Sequence, residues 1–357
     1  MSSATGQEIK YAINKAATWN TAVACGANDG IMLLPSNLSR TAAIEVDDSL
    51  GSGYSQDGTP GAIKCEGSLT GYLRYDGCDE ILSGIMGYAG TPVVNTVNGW
   101  DHTYDFKDSL DTIFWTLAKK MGALYVREVP SLKFVSLTLK GDAGKPLELT
   151  ATVQGSNWVE DGVNTSTTFA NVTFRETANR VAFPQGVFRL NAQAGAALAS
   201  PTDDIHPTGF SLSITRKLSG EYGTFSAGTT NKQDIIDEPQ NNGQPEFKLT
   251  LTFPRHSGKT YLTALNADTR YKFDATFTGA TITSGPARKF LIQCPNLQLS
   301  TVNPQDAQGN ITEPLEFVLL GVGTAPTGMT TPAGSTVGVT RPVRITVTNK
   351  LATDPLV

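Results

Sequence analysis

Apolar and polar residues alternate with a period of two along much of the chain, the spacing of a strand with one core face and one polar face. From Ile63 the odd positions read Ile63, Cys65, Gly67, Leu69, Gly71 and Leu73, and the even ones Lys64, Glu66, Ser68, Thr70, Tyr72 and Arg74. Leu147, Leu149, Ala151 and Val153 alternate with Glu148, Thr150, Thr152 and Gln154. Phe210, Leu212 and Ile214 are set against Ser211, Ser213 and Thr215, and Phe247, Leu249, Leu251 and Phe253 against Glu246, Lys248, Thr250 and Thr252. A last strand carries Val343, Ile345 and Val347. Helical spacing is confined to two short segments, Asp79 to Gly87 and Gly258 to Ala267, each following a long strand. The pattern predicts a mainly β chain with two short helices.

Two long stretches break the pattern: Asp47 to Gly61, rich in Gly, Ser and Asp, and Leu218 to Gln244, rich in Gly, Thr, Asn and acids. Loops of this length inside compact domains are usually functional or disordered. Gly155 to Thr168 reads as an inter-domain linker and Gly321 to Gly338 as a mobile surface segment.

The two halves resemble each other in order and spacing. Pro130-Ser131-Leu132-Lys133-Phe134 matches Pro295-Asn296-Leu297-Gln298-Leu299, and Lys145-Pro146-Leu147-Glu148-Leu149 matches Glu313-Pro314-Leu315-Glu316-Phe317. Ile81 to Gly87 matches Tyr261 to Ala267, and the long loops end alike in Asp57-Gly58-Thr59-Pro60 and Asn242-Gly243-Gln244-Pro245. This predicts two copies of one β unit, near residues 20–154 and 180–349. The corresponding domains are 1–154 with an N-terminal arm over 1–20, a linker over 155–180, and 181–357.

Charged residues make up 17% of the 357 positions, below the roughly 25% usual for globular proteins. Charge is depleted at interface cores, so this low share suits a protein that buries surface against neighbours. A net charge of -5 with no basic run argues against gripping nucleic acid through its phosphates. Acidic walls instead fit a channel through which DNA slides without sticking. The N-terminal residues have no apolar signal core, and no run approaches the ~18 apolar residues of a membrane span, so a soluble chain made in the cytoplasm is expected.

Candidate chemistry is sparse. Cys25, Cys65, Cys78 and Cys294 include no CxxC pair and read as free, mostly buried thiols. His102, His206 and His256 are scattered, and no GxSxG elbow occurs. His256-Ser257-Gly258-Lys259-Thr260 ends like a phosphate loop, but Phe253 stands where that loop needs glycine. It reads as a helix start, capped by Thr260 or Ser257. The acid pairs Asp47-Asp48 and Asp203-Asp204 lie in loops, and the aromatics Tyr54, Trp100, Tyr104, Trp115 and Trp158 are single. No catalytic residue, metal or cofactor is expected.

The chain resembles the tail tube (major tail) proteins of long-tailed bacteriophages. The resemblance is carried by Asn20-Thr21-Ala22-Val23, Gly67 to Gly87, Phe210 to Gly220, Pro245 to Arg255 with the helix after it, and Ile345-Thr346-Val347-Thr348-Asn349. It implies a mainly β fold of two tandem tail-tube-like β-sandwich or barrel domains, each with one short α-helix. It implies a non-enzymatic subunit whose rings stack into a tube for DNA ejection. With two tube units per chain, three chains would close a ring of pseudo-sixfold symmetry; six whole chains, with the second half as an outer decoration, is the alternative. The implied partners are further copies of the chain, the tape-measure protein and DNA in the lumen without sequence-specific binding, and the tail terminator and tail-tip proteins, with no membrane. A head-decoration or baseplate protein and a β-sandwich binding module are the competing readings.

The resemblance also assigns roles to loops and faces. Asp47, Asp48, Tyr54 and Asp57 in the first loop, and Glu221, Tyr222, Asp234, Asp237 and Glu238 in the second, are candidates for reaching the adjacent ring. Both loops are expected to order only on stacking, and deletion of Ser49 to Thr59 to block polymerisation while sparing the fold. Lys64, Glu66, Ser68 and Thr70, with Glu246, Lys248, Thr250 and Thr252, are candidate lumen walls.

Overall fold

The computed structural model describes residues 5–48, 54–55, 57–175, 177–221, 236–304, 309–330 and 337–356. The first half contains β1 (Ile9–Ala16), β2 (Gly30–Ile31), β3 (Ser39–Val46), β4 (Gly58–Tyr72), α1 (Asp79–Met86), β5 (Val93–Thr96), β6 (Gly99–Asp105), β7 (Phe114–Met121), β8 (Tyr125–Asp142), β9 (Glu148–Gly155) and β10 (Val159–Glu160). The second contains β11 (Gly186–Ala192), β12 (Asp204–Ile205), β13 (Gly209–Thr215), β14 (Leu218–Ser219), β15 (Gln240–Asn241), β16 (Glu246–Phe253), α2 (Thr260–Asn266), β17 (Arg270–Thr281), β18 (Ala287–Val302), β19 (Glu313–Leu319) and β20 (Arg344–Asn349). The fold is mainly β, as the alternation predicts.

The alternation translates directly into burial. In β4, Ile63, Cys65 and Leu69 are buried while Lys64 and Glu66 are exposed. Leu149, Ala151 and Val153 of β9 and Leu249 and Leu251 of β16 face the same core. In α1, Ile81, Leu82, Ile85 and Met86 pack inward, and the helix stops at Gly87, whose φ of 77° is the left-handed cap that glycine adopts without strain. Gly84 lets α1 lie against β8: a Cβ there would stand 2.3 Å from the Phe134 ring.

One long strand organises each half. The N-terminal part of β8 pairs with β7 and β10, and its C-terminal part with β9 and β13. The result is an antiparallel eight-stranded sheet in the order β3-β4-β9-β8-β13-β16-β19-β18. Facing it are β2-β1-β7-β8-β10 of the first half, and β12-β11-β17-β18-β20 of the second half extended by β6 and β5 of the first. One continuous apolar cluster fills the space, from Ile13, Leu69 and Leu117 to Phe273, Phe290 and Phe317.

Seven strand pairings recur between the halves. They are β1·β2 and β11·β12, β1·β7 and β11·β17, and β3·β4 and β13·β16. The others are β4·β9 and β16·β19, β7·β8 and β17·β18, β8·β9 and β18·β19, and β8·β10 and β18·β20. Irregularities recur too. The shift between Trp115 and Leu117 in β7·β8 has its counterpart between Tyr271 and Phe273, and that between Phe134 and Ser136 in β8·β9 between Leu299 and Thr301. These shifts align Pro130 with Pro295, as the sequence match has it. They align Val153, not Leu149, with Phe317, so the Pro146/Pro314 match is four residues out of register.

Several segments differ from expectation. Residues 9–16, expected as part of an arm, form β1, because Tyr11 and Ile13 reach the core. The 155–168 stretch is tied down: β10 pairs with β8, and buried Asn164 accepts the Cys25 N–H and donates to Val23 O and Glu128. In the 321–338 segment Val322 donates to Thr340 O and Met329 is buried, while residues 331–336 lie outside the described residues. The N-cap of α2 is Lys259, with no side-chain cap bond, since Ser257 precedes it and Thr260 is already helical.

Candidate assembly surface

The even positions of β4 and β16 lie on one face of the eight-stranded sheet. Transverse rows show it: Ser68 faces Thr152, which faces Ser136, then Thr215, then Glu246. A second row runs Thr70, Thr150, Thr138, Ser213 and Lys248. Lys64, Glu66, Ser68, Thr70, Glu246, Lys248, Thr250 and Thr252 are therefore brought together, and all are exposed or half-buried. Charges on this face are mixed. Lys217 lies 2.9 Å and Lys248 3.6 Å from Glu246, and the hydrogen bond from Lys217, with both cationic charges, lowers the Glu246 carboxyl pKa.

Among the described strands the sheet is open at both ends. β3 pairs with β4, and among the described residues no strand lies on its other side; its described side chains are exposed, Ile44 at 67% and Val46 at 55%. The end of β18, from Leu299 to Val302, pairs with β19 alone among the described strands. By contrast β13, at β3's position in the second half, is closed on both sides by β8 and β16, and Phe210, Leu212 and Ile214 are buried. Open edges of this kind are templates for pairing with another chain.

The two loops sit at equivalent hairpins. β3 and β4 pair out to Val46 and Gly58, which shortens the first loop to 47–57. Asp47, Asp48, Tyr54 and Asp57 are exposed there, and residues 49–53 and 56 lie outside the described residues. In the second loop, Tyr222 and Asp234 fall within 222–235, also outside the described residues. Glu221 and Asp237 are exposed and joined by the Asp237 N–H to the Glu221 carbonyl.

Glu238 is engaged inside the chain. Its Oε1 lies 2.7 Å from the Nζ of Lys133, which is wholly buried, and accepts the Thr112 N–H at 2.8 Å. Lys133 also donates to Pro239 O, and the Trp19 indole donates to Ile236 O. The foot of the second loop is thus fastened to the first half. Burial lowers the Lys133 pKa, and the Glu238 carboxylate acts against it.

Sequence reasoning missed the other pins between the halves. Arg216, beyond the end of β13, is buried and donates to the carbonyls of Ile85, Met86 and Lys107, with its guanidinium 3.8 Å from the Phe106 ring centroid. The alternation of Phe210, Leu212 and Ile214 carries on to position 216, so the signal for a core-facing arginine was present. Arg288 pairs with Asp76 at 2.8 Å, and Asn349 donates to Asp79, which also accepts the Tyr104 hydroxyl.

Among the described residues the cysteines, histidines and acids do not converge on one site. All four cysteines are free and buried, with burial raising the thiol pKa to about 12 at Cys65 and Cys78 and further at Cys25 and Cys294. His102 contacts Leu351 O and His256 lies 3.1 Å from Glu313. Among the described residues no cluster of three or more His, Cys, Asp or Glu is placed to hold a metal. A cleft of about 700 Å³ between the halves is lined by Phe106, Asp108, Arg216 and Arg341, but Arg216 is committed to backbone carbonyls and Arg341 to Asp108.

No helix among the described residues is long and apolar enough to cross a membrane. No curated protein matches the chain in sequence. Residues 6–319 match the family model described as phage tail tube protein. A sheet with a polar face and, among the described strands, two unpaired edges agrees with that match over nearly the whole chain: the chain belongs to the phage tail tube protein family, whose role in the virion tail is structural.

Proposed function

We propose that this non-enzymatic chain assembles into rings that stack into the tail tube and conduct DNA during ejection. It carries two copies of one tube unit, within 1–154 and 181–357, joined by the 155–180 segment. The seven recurring pairings and two recurring shifts support the two copies. The observation that carries the assembly is the eight-stranded sheet, in which β13 of the second half is spliced to β8 of the first while β3 and the end of β18 stay open. Three chains then supply six units, and closed point-group symmetry removes both free edges of the eight-stranded sheet. The β8·β13 splice favours this arrangement over six chains with an outer second half, because it makes both halves parts of one sheet.

The polar face forms the lumen wall. Its rows of Ser and Thr with paired charges hold neither the tape-measure protein nor DNA by a basic patch. The 47–57 and 220–239 loops meet the next ring, with Glu238 held inward on Lys133, and the tail terminator and tail-tip proteins close the two ends. The chain is made in the host cytoplasm and works in a long, non-contractile tail. Native mass measurement of isolated rings tests the reading: three times the 37.9 kDa chain is expected. Six chains per ring, or compact monomers alone by negative-stain microscopy, would overturn it.

A further inference from the structure

The junction between the halves has a defined register. Ser136 faces Thr215 and Leu137 faces Ile214, and the Arg216 N–H donates to the Val135 carbonyl at 2.8 Å. The recurring pairings convert this register residue by residue to the open edges. Val135 is the residue bulged out between Phe134 and Ser136, and Ser300 the one bulged out between Leu299 and Thr301. Ser136 therefore corresponds to Thr301 and Leu137 to Val302. On the other strand, Ser213 faces Lys248, which faces Val318; Ser39 faces Glu66, which faces Gln154, the counterpart of Val318. Ser39 thus stands for Ser213, Arg40 for Ile214, Thr41 for Thr215 and Ala42 for Arg216.

We propose that β3 of one chain pairs antiparallel with the end of β18 of the next, Thr41 opposite Thr301 and Arg40 opposite Val302, with the Ala42 N–H donating to the Ser300 carbonyl. Each seam of the ring then repeats the junction the chain already holds within itself. The inference rests on the ring reading and adds its register. Ser39, Arg40, Thr41, Ser300 and Thr301 are exposed in the single chain and Val302 is half-buried, whereas their junction counterparts Ser213, Thr215, Val135 and Ser136 are half-buried and Ile214 and Leu137 are buried. The helices show the same direction of cover. All of α1 is buried, in part by Arg216 and Asn349 of the second half, whereas α2 buries only Ala264 and leaves Leu262 43% exposed. The next chain's first half covers α2.

The seam differs from the junction at one core-facing position. Ile214 packs against Leu137, but its counterpart Arg40 faces Val302. A guanidinium there forfeits apolar burial, so the contact between chains is weaker than the contact between halves. That is the ordering a subunit needs to stay folded before it assembles.

Directed cross-linking tests the register. Opposed residues on paired strands have Cβ atoms about 4.5–5.5 Å apart, and diagonal ones about 7–8 Å, beyond a disulfide's reach. Rings of the Thr41→Cys/Thr301→Cys variant, mildly oxidised, are expected to run as covalent multimers up to the closed ring. Rings of Ser39→Cys/Thr301→Cys, shifted by two residues, are expected to cross-link at least about tenfold less. The four native thiols stay silent because they are buried. Equal or stronger linking in the shifted variant, or none in the matched one within rings of normal mass, overturns the register while leaving the ring reading standing. Absence of rings in the unsubstituted protein overturns the ring reading itself. Should the double variants fail to fold, hydrogen exchange on the unsubstituted protein decides: the amides of Arg40 and Ala42 are expected to slow by about tenfold or more on ring formation, and unchanged exchange overturns the proposal.

Discussion

Replacing Glu238 with Ala tests whether the second loop is fastened by a buried charge. Lys133 sits 2.7 Å from the Glu238 carboxylate and is wholly buried, with Pro239 O as its other acceptor. The same carboxylate holds the N–H of Thr112, whose φ of 63° is strained for a β-branched residue. Breaking a buried pair by removing one partner costs about 3–5 kcal/mol, because the other charge stays desolvated. Glu238 keeps a side-chain exposure of 21% and Pro239 O remains, which places the loss near the low end, about 3 kcal/mol.

The pH dependence follows from the same geometry. Burial lowers the folded Lys133 pKa below 10.5, and loss of the carboxylate lowers it further. A base with a lowered folded pKa binds fewer protons folded than unfolded, so stability rises with pH between the two values. The deficit of the variant is therefore greatest near pH 7 and shrinks toward pH ~10 as the buried amine becomes neutral. Denaturant melts of the unassembled chain at several pH values measure this. A loss below about 1 kcal/mol at pH 7, or one that grows with pH, would refute the reasoning. The double variant Lys133→Met/Glu238→Ala is expected to recover much of the stability, since it leaves no lone charge.

Gly84→Ala is expected to cost at least about 2 kcal/mol in denaturant melts, because its Cβ would stand 2.3 Å from Phe134 and 3.0 Å from Trp115. Thiol alkylation at pH 8, followed by mass spectrometry, should modify none of the four cysteines in the folded chain and all four after denaturation; rapid labelling of folded Cys65 or Cys78 would contradict their burial. Arg40→Ile, which restores the junction's apolar residue at the seam, should lower the chain concentration needed for rings by about tenfold, read by light scattering, through roughly 1.4 kcal/mol of added burial.

Much of the local structure was legible in the sequence. The alternation from Ile63 to Leu73 fixed both the existence of β4 and which face it buries, because a pleated strand sends successive side chains to opposite sides. The apolar spacing of Ile81, Leu82, Ile85 and Met86 before Gly87 located α1 for the same kind of reason. Pro130 and Pro295 stand at the same place in the β7·β8 and β17·β18 pairings. The Pro146/Pro314 match slipped by four residues, because a period-2 pattern looks the same after any even shift.

Tertiary structure alone decided which strand edges meet. Alternation reports the face of a strand and is silent about its edges, since edge pairing is made by backbone groups common to every residue. The alternation of Phe210, Leu212 and Ile214 marks a buried face in β13, but nothing local says that its edge is spliced to β8 while the edge of β3, at the equivalent place, has no partner among the described strands. The partners of the buried charges followed the same rule: alternation turns Arg216 inward, but only the fold brings the carbonyls of α1 to it and the Glu238 carboxylate to Lys133. One-dimensional pattern set what each strand is, and three-dimensional packing set what each strand is next to.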